Sequence, residues 1–424
     1  MKRPRQLMLM TTLAFMLISL CPVQGIAAKQ DISFGFWGQP EQVELFQKVV
    51  GAFEEKYPDI SVDTRYSVWG VYHEKLLVEL TSGLAADVIL VSPAYFPQFI
   101  EHNVFMDLTS LAKRDLKMTD YFPTAPLYHE GRLYGLPHIL DVQMMYFNQN
   151  LFEEAGVALP DETWNWDDQF LAAVRKLTRK NNEGAVTQFG SFGYGGSIYT
   201  VWAAMTARGG GFFDTAEKKV LANLPASVEA LRFFHGLAFE YNAAPGPGIP
   251  TAATVAWANG NLATTIGWNS GIGYFNAQNL PFEWHASVMP GWRGGKRVTE
   301  SHGTAFTMNA QAKNVETAWT LVKYLGYEPE ATLLAEGAWG PAKRQSTWRS
   351  FIPQMERSVP GHQRDWEAVF RSFEFGQKFP FTKEYSQVSG AYDRHIGALW
   401  QNTVGPETAA EQLAESLRTI LSYR

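Results

Sequence analysis

The switch between two hydrophobic periods near the start of the chain limits the fold more than any other feature. Residues 32–37 form a short apolar run rich in β-formers. Val43, Phe46, Val50 and Phe53 then recur at three- and four-residue spacing, which predicts a helix that stops at Tyr57-Pro58. Residues 60–66 alternate as a strand does, 73–80 read as a helix closed by Ser82-Gly83, and 87–91 read as a buried strand. Strands alternating with helices imply right-handed βαβ units, a mainly parallel sheet and an α/β fold. Further along, Asn165 with an acid three positions on predicts a capped helix over 169–179. Residues 317–325 and 407–421 have amphipathic helical spacing, and the Pro- and Gly-rich 244–250 reads as a loop.

The first residues are an address rather than part of the fold. Lys2, Arg3 and Arg5 precede an apolar run from Leu7 to Leu20, and small residues gather at Gly25, Ala27 and Ala28. That order predicts a secretory signal over 1–28 and a periplasmic or extracellular protein. The run is too short for a membrane anchor, and no later stretch approaches the ~18 apolar residues that a span requires. Cys21 is the only cysteine, and Leu20 before it departs from the small residue of a lipidation motif, which disfavours a lipid anchor. Removal of the signal leaves no cysteine, so neither a disulfide nor a thiolate zinc site can form. With 424 residues, 46% apolar, there is material for two or three packed domains. A net charge of −6 argues against a nucleic-acid partner.

Catalytic signatures are incomplete. His73-Glu74 and His129-Glu130 start like a zinc-protease helix, but Leu77 and Leu133 stand where the second histidine belongs. Gly267-Trp-Asn-Ser-Gly271 places its serine one position too late for a nucleophile elbow. The glycines between Gly190 and Gly196 lack the Lys-Ser/Thr of a phosphate loop. A glycosidase needs only two carboxylates, so a secreted polysaccharide-active enzyme stays open. Aromatic residues, 14% of the chain, call for large cores, an aromatic-lined binding surface, or both.

An ordered set of short motifs carries a resemblance along nearly the whole chain after the signal. Ile32-Ser-Phe-Gly-Phe-Trp37 comes first, then Phe53-Glu-Glu-Lys-Tyr-Pro-Asp-Ile-Ser-Val62, then Ala86-Asp-Val88. Phe105-Met-Asp-Leu-Thr109, Leu133-Tyr-Gly-Leu-Pro137 and Tyr146-Phe-Asn148 follow, and then Thr163-Trp164, Trp268, Ala318-Trp319 and Gly340-Pro341. In this order the chain resembles the sugar-binding family of extracellular solute-binding proteins of bacterial ABC importers, which includes maltose-binding protein. Ala86 departs from that family's usual proline.

The resemblance implies a two-lobed periplasmic-binding-protein type II fold, each lobe a mixed, mainly parallel sheet flanked by helices. It places the lobes at 29–140 plus 303–345 and at 141–302 plus 346–424, with a third crossing near Gly340. It implies a non-catalytic, cofactor-free monomer that closes on a carbohydrate and passes it to ABC importer permease subunits in the inner membrane. Polyol phosphates and polyamines remain alternative ligands, with Arg208, Arg293 and Arg344 near the relevant segments. Asp141 falls at a lobe crossing, at the spacing of a sugar-contacting acid in the family; a salt bridge at the hinge is the competing role. Tyr199 and Trp202 match a ring-bearing segment, while their helical spacing suits core residues equally well, and Trp268 with Asn269 follows a strand that delivers a stacking aromatic. Trp37, Gln39, Ser92 and Tyr95 follow strands at ends that face the crevice, and His302 and Trp339 fall at the other crossings. A sugar wants such a set. About 100 Å² of its C–H face on a ring contributes about 2.5 kcal/mol, and each hydroxyl bonded to a carboxylate about 1.5–3 kcal/mol.

Overall fold

The computed structural model describes residues 29–38, 40–192, 197–246, 256–328, 352–353, 355–357 and 359–423. The first apolar run becomes β1 (Gln30–Trp37), with Ile32 to Phe36 buried on either face. A strand apolar on both faces belongs inside a sheet; β1 lies between β2 (Ile60–Ser67) and β3 (Val88–Val91), parallel to both. The helix Pro40–Lys56 makes the first crossover and buries Val43, Phe46, Val50 and Phe53. The helix Trp69–Ser82 makes the second and stops at Gly83, whose φ of 75° suits a residue without a Cβ. It starts four residues earlier than its apolar spacing predicts. Tyr72 is buried there with its hydroxyl donating to the Leu90 carbonyl at 3.0 Å, and tertiary packing of this kind overrides a weak local propensity.

The remaining strands, in chain order, are β4 (Leu127–His129), β5 (Arg132–Pro137), β6 (Asp141–Asn148), β7 (Arg179–Lys180), β8 (Val186–Gln188), β9 (Phe213–Asp214), β10 (Lys219–Val220), β11 (Thr264–Trp268), β12 (Trp284–Ser287), β13 (Thr299–His302), β14 (Ala305–Met308) and β15 (Gly376–Gln377). One sheet runs β2-β1-β3-β14-β5-β4; a second runs β11-β6-β13-β15, with β12 also paired to β6. The two pairs β7–β8 and β9–β10 are separate antiparallel ribbons.

The expectation of a mainly parallel sheet in each lobe needs correction. Parallel pairing is confined to β1, β2 and β3 in the first sheet and to β13–β15 in the second, and β11, β12 and β13 all run antiparallel to β6. Parallel neighbours require crossover helices. The chain enters the second lobe along β6 and leaves it along β13, so these two crossing strands lie side by side in opposite directions. The helix predicted over 169–179 also differs. It opens as a π-turn, Trp166–Phe170, continues as Leu171–Leu177 and ends where the Thr178 hydroxyl donates back to the Val174 carbonyl at 2.7 Å. The Asn165 side chain makes no cap; the Gln169 side chain instead reaches back and accepts from the Asn165 N–H at 3.2 Å.

Each sheet carries its own core. Phe34, Phe53, Trp319 and Leu321 pack in the first lobe. Trp166, Trp202, Phe212 and Leu413 pack in the second, with Tyr146, Trp284 and Trp366 in a cluster beside them. The helices Val315–Gly326 and Pro406–Leu421, close to their predicted limits, close these cores. The chain leaves the first sheet between Pro137 and Asp141 and returns between His302 and Ala305, so two extended segments join the lobes side by side. They are bonded together: the His138 N–H donates to the Thr304 carbonyl at 2.7 Å. Gly303 is needed at this point, because a Cβ there would lie 2.6 Å from the Ala125 carbonyl oxygen and 2.8 Å from that of Ile139. The crossing expected near Gly340 lies outside the described residues, as do the predicted signal and Cys21.

Candidate functional site

The first lobe ends its strands in rings. Trp37, at the last position of β1, packs against Trp69 at 5.0 Å, Tyr72 at 5.4 Å and His73 at 5.0 Å between ring centroids. Tyr95 lies flat on His73, 4.2 Å away and 6° from parallel. Trp69 is 46% exposed and reaches within 6.1 Å of Tyr95, so its outer face is open to a ligand. His73 is uncharged at neutral pH, because burial lowers its pKa to about 3. Its Nε2 accepts the Ser92 N–H at 3.3 Å, which leaves a proton on Nδ1. This surface therefore offers aromatic area without charge.

The second lobe mixes rings with buried ionisable groups. Tyr199, on the helix Ile198–Ala207, meets Trp268 at 5.7 Å and His302 at 5.9 Å, and Trp268 meets His302 at 5.1 Å. Phe379, Phe381 and Tyr385 extend the cluster, with the Tyr199 and Tyr385 hydroxyls 2.6 Å apart. Beneath the rings, β6 and β13 set Asp141 opposite His302, and Glu300 lies two residues before it on the same strand. Asp141 keeps an exposed edge, yet burial pushes its carboxyl up to about 6, with Glu300 adding to the shift and His302 opposing it. Burial also opposes charge on His302, but Glu300, which accepts from Nδ1 at 2.9 Å, and Asp141 outweigh it and hold the imidazole above its ordinary value. Burial brings the Lys378 ammonium down to about 8, with Glu300 opposing. Acids, an imidazole and an ammonium packed under half-buried rings give donors and acceptors on a floor from which much water is excluded.

The two surfaces face each other. Burial first, and then the neighbouring phenol of Tyr385, Glu300 and the first-lobe Tyr95, raise Tyr199 far above the ordinary phenol range. Tyr95 acts on Tyr385 in the same direction. At the rim, Lys383 of the second lobe pairs with Glu101 of the first at 2.9 Å. Asp141, Tyr199, Trp268 and His302 thus come together on one side, opposite Trp37 and Tyr95. Three expected residues are committed elsewhere. Trp202 is 5% exposed in the second-lobe core, with its ring against Phe379. Asn269 is fully buried, its side chain accepting from the Val142 N–H at 2.9 Å and donating to the Leu140 carbonyl at 3.3 Å, a splint for the crossing. Ser92 is buried and its hydroxyl accepts from the Ala94 N–H. Gln39 and Trp339 lie outside the described residues, as does Arg344. Arg208 and Arg293, considered as phosphate ligands, are paired with Glu229 and Asp168 on the surface.

Trp69, His73, Glu300, Lys378, Phe381 and Tyr385 are not marked as binding residues by the sequence. Trp69 and His73 fall one helical turn apart on a helix whose start the periodicity missed. Glu300 stands two residues before His302, the spacing that puts both on one side of a strand; that was the signal available for it. The residues from Lys378 to Glu384 form an irregular segment that leads into the helix Tyr385–Trp400, and its place beside β13 follows only from the tertiary fold.

Known proteins share this architecture. An ABC substrate-binding protein from Listeria monocytogenes, solved in complex with cycloalternan, aligns with a TM-score of 0.79 at 21% identity, over 93% of this chain and all of that one. The sugar-binding protein MalE from Xanthomonas citri aligns with a TM-score of 0.80 at 18% identity, over 93% of this chain and 98% of that one. An arabinooligosaccharide-binding protein of Bacillus subtilis is 28% identical over 329 residues, 74% of this chain and 72% of its own length. The model of the bacterial extracellular solute-binding protein family matches residues 38–330, and the chain belongs to that family.

Proposed function

We propose that this protein binds a carbohydrate between its lobes and passes it to the membrane permease of an ABC importer, acting as a periplasmic or extracellular monomer without catalytic activity. The observation that carries the reading is the pairing of an uncharged ring surface, Trp37, Trp69 and Tyr95, with a second surface where Trp268 and Tyr199 pack on His302, itself bonded to Glu300 and opposite Asp141. A pyranose has the matching character: C–H faces that lie on rings, and rim hydroxyls that both donate and accept. A ligand that touches both lobes stabilises the closed arrangement by its differential affinity for it, and no chemical step is needed. The names of the relatives, an arabinooligosaccharide-binding protein and proteins solved with cycloalternan or maltose, support a sugar and favour an oligosaccharide. The commitment of Arg208 and Arg293 to surface ion pairs weakens the case for a phosphorylated polyol.

The test is calorimetry and thermal shift of the purified protein against arabino- and malto-oligosaccharides, their monosaccharides, a polyol phosphate and spermidine. The expected result is micromolar or tighter binding of an oligosaccharide, a rise in Tm, and the ligand recovered uncut. A shift with spermidine or the polyol phosphate alone would overturn the sugar assignment, and recovery of shortened products would overturn the non-catalytic one.

A further inference from the structure

Far from the cleft, His285, His362 and Asp365 converge in the second lobe. All three are buried, at 8%, 9% and 0% exposure. His285 lies on β12, His362 immediately precedes the helix Gln363–Ser372, and Asp365 lies in that helix's first turn. Both imidazoles turn Nδ1 toward the same atom, Asp365 Oδ2, at 3.0 Å from His285 and 2.5 Å from His362. The other carboxylate oxygen accepts the Ala286 N–H at 3.0 Å, which fixes the carboxylate with Oδ2 facing the histidines. On the far side of His285, Nε2 lies 3.3 Å from Glu283 Oε1. Trp284 stacks on the His362 ring at 4.1 Å and holds it in place. Among the described residues this is the one group of three such side chains close enough to hold a metal ion.

Two imidazoles converge their Nδ1 atoms on one buried carboxylate oxygen, and the far nitrogen of His285 faces a second carboxylate; this is the arrangement of a ligand set and an outer carboxylate around a divalent ion. Nδ1 of each histidine offers its lone pair, Asp365 Oδ2 supplies the negative ligand, and His285 Nε2–H donates to Glu283, the outer carboxylate that orients a metal-bound imidazole. Two nitrogens and one oxygen suit zinc, with a water in the fourth position. Bonds of about 2.0–2.2 Å in a tetrahedron separate ligand atoms by roughly 3.3–3.5 Å, so seating the ion parts these atoms by about 1 Å or less.

We propose that His285, His362 and Asp365 form a structural zinc site that ties the helix Gln363–Ser372 to β12. His285 pairs in register with Phe147, six residues along β6 from Asp141, roughly 20 Å from the cleft floor at strand rise. The ion therefore acts on the stability of the second lobe and not on ligand contacts, and the site stands independently of which solute the cleft takes.

The test uses the full exported chain, stripped with chelator and titrated with Zn2+ alone by calorimetry, with Co2+ added separately for its visible absorption. The expected result is one ion per chain, a tetrahedral cobalt spectrum and a raised Tm, with ligand affinity in the cleft unchanged. His285→Gln should weaken zinc binding at least a hundredfold. Glu283→Gln alters a side chain with 61% exposure, so the fold should survive, and it should weaken binding ten- to hundredfold. As a control, His235→Gln, at a half-buried histidine paired with Asn402, should leave the titration unchanged. Failure of the wild-type chain to take up one ion, or retention of wild-type affinity in the folded Glu283→Gln and His285→Gln variants, would overturn the site.

Discussion

The two walls of the cleft are built from different chemistry. The first-lobe wall is rings packed on rings, with its imidazole, His73, held neutral by burial. The second-lobe wall places its rings over acids, an imidazole and an ammonium. The difference follows from where each wall comes from. Trp37, Trp69 and Tyr95 sit at or near the ends of strands and helices in one parallel unit, where packing decides what is tolerated. Asp141, Glu300 and His302 sit on the paired strands that carry the chain between lobes, where the backbone is bonded across and charges can be held without a helix core around them. One wall can offer contact area and the other direction, and a ligand with apolar faces and polar rims needs both.

The comparison is broken most sharply at Trp268. This ring covers the charged floor, while its backbone carbonyl accepts from the Tyr146 hydroxyl at 2.6 Å, a bond that survives loss of the side chain. Trp268→Ala should cost about 3 kcal/mol of binding, a loss above a hundredfold, with little change in Tm. Calorimetry that found affinity unchanged would remove the second wall's rings from the site.

Asp141→Asn separates binding from stability. The carboxyl's folded pKa, about 6, is above its ordinary 3.8. Its contribution to stability is therefore fully present below about pH 4 and is lost as pH rises through 6. The asparagine variant does not suffer that loss. Relative to wild type, its ligand-free Tm should climb between pH 5 and pH 8, while sugar affinity falls by about 2 kcal/mol, roughly thirtyfold. A variant that is destabilised equally at both pH values and binds normally would make Asp141 a hinge residue only.

The first wall should yield a smaller effect. Tyr95→Ala removes one ring from a surface where Trp37 and Trp69 remain, so a loss of about 1–2 kcal/mol is expected from the area involved. A loss as large as that for Trp268→Ala would show that the walls are not divided as described.

Much of this was legible before any coordinates. The change from period two to period 3.6 in the first sixty residues after the signal marks β1, β2 and the helix between them, because a strand buried on both faces and a one-sided helix leave different patterns. Asp141 stood out because an acid between Leu140 and Val142 has no packing reason to be there. What stayed hidden was set by tertiary contact. Trp202 and Trp268 look alike in sequence, yet Trp202 points into the second-lobe core while Trp268 ends a strand at the cleft. Asn269 looks like a ligand residue and is instead a backbone splint, since only the fold brings Leu140 and Val142 to it. β6 is buried along nearly its whole length, as a central parallel strand would be, so its antiparallel partners left no periodic trace.

The finest test lies at the rim, where the two walls touch each other directly. Lys383 and Glu101 pair at 2.9 Å across the gap, each about half exposed. An ion pair so open to water contributes at most about 1 kcal/mol, and salt screens it further. If the pair forms only when the lobes close, Lys383→Ala should weaken sugar binding by a few-fold at low salt, and the difference should vanish near 1 M salt. Neither wall is touched by this substitution, so the enthalpy of binding should keep its wild-type value within the worth of one exposed bond. A loss that persists at high salt would mean that Lys383 contacts the ligand directly, and the charged wall would then extend to the rim.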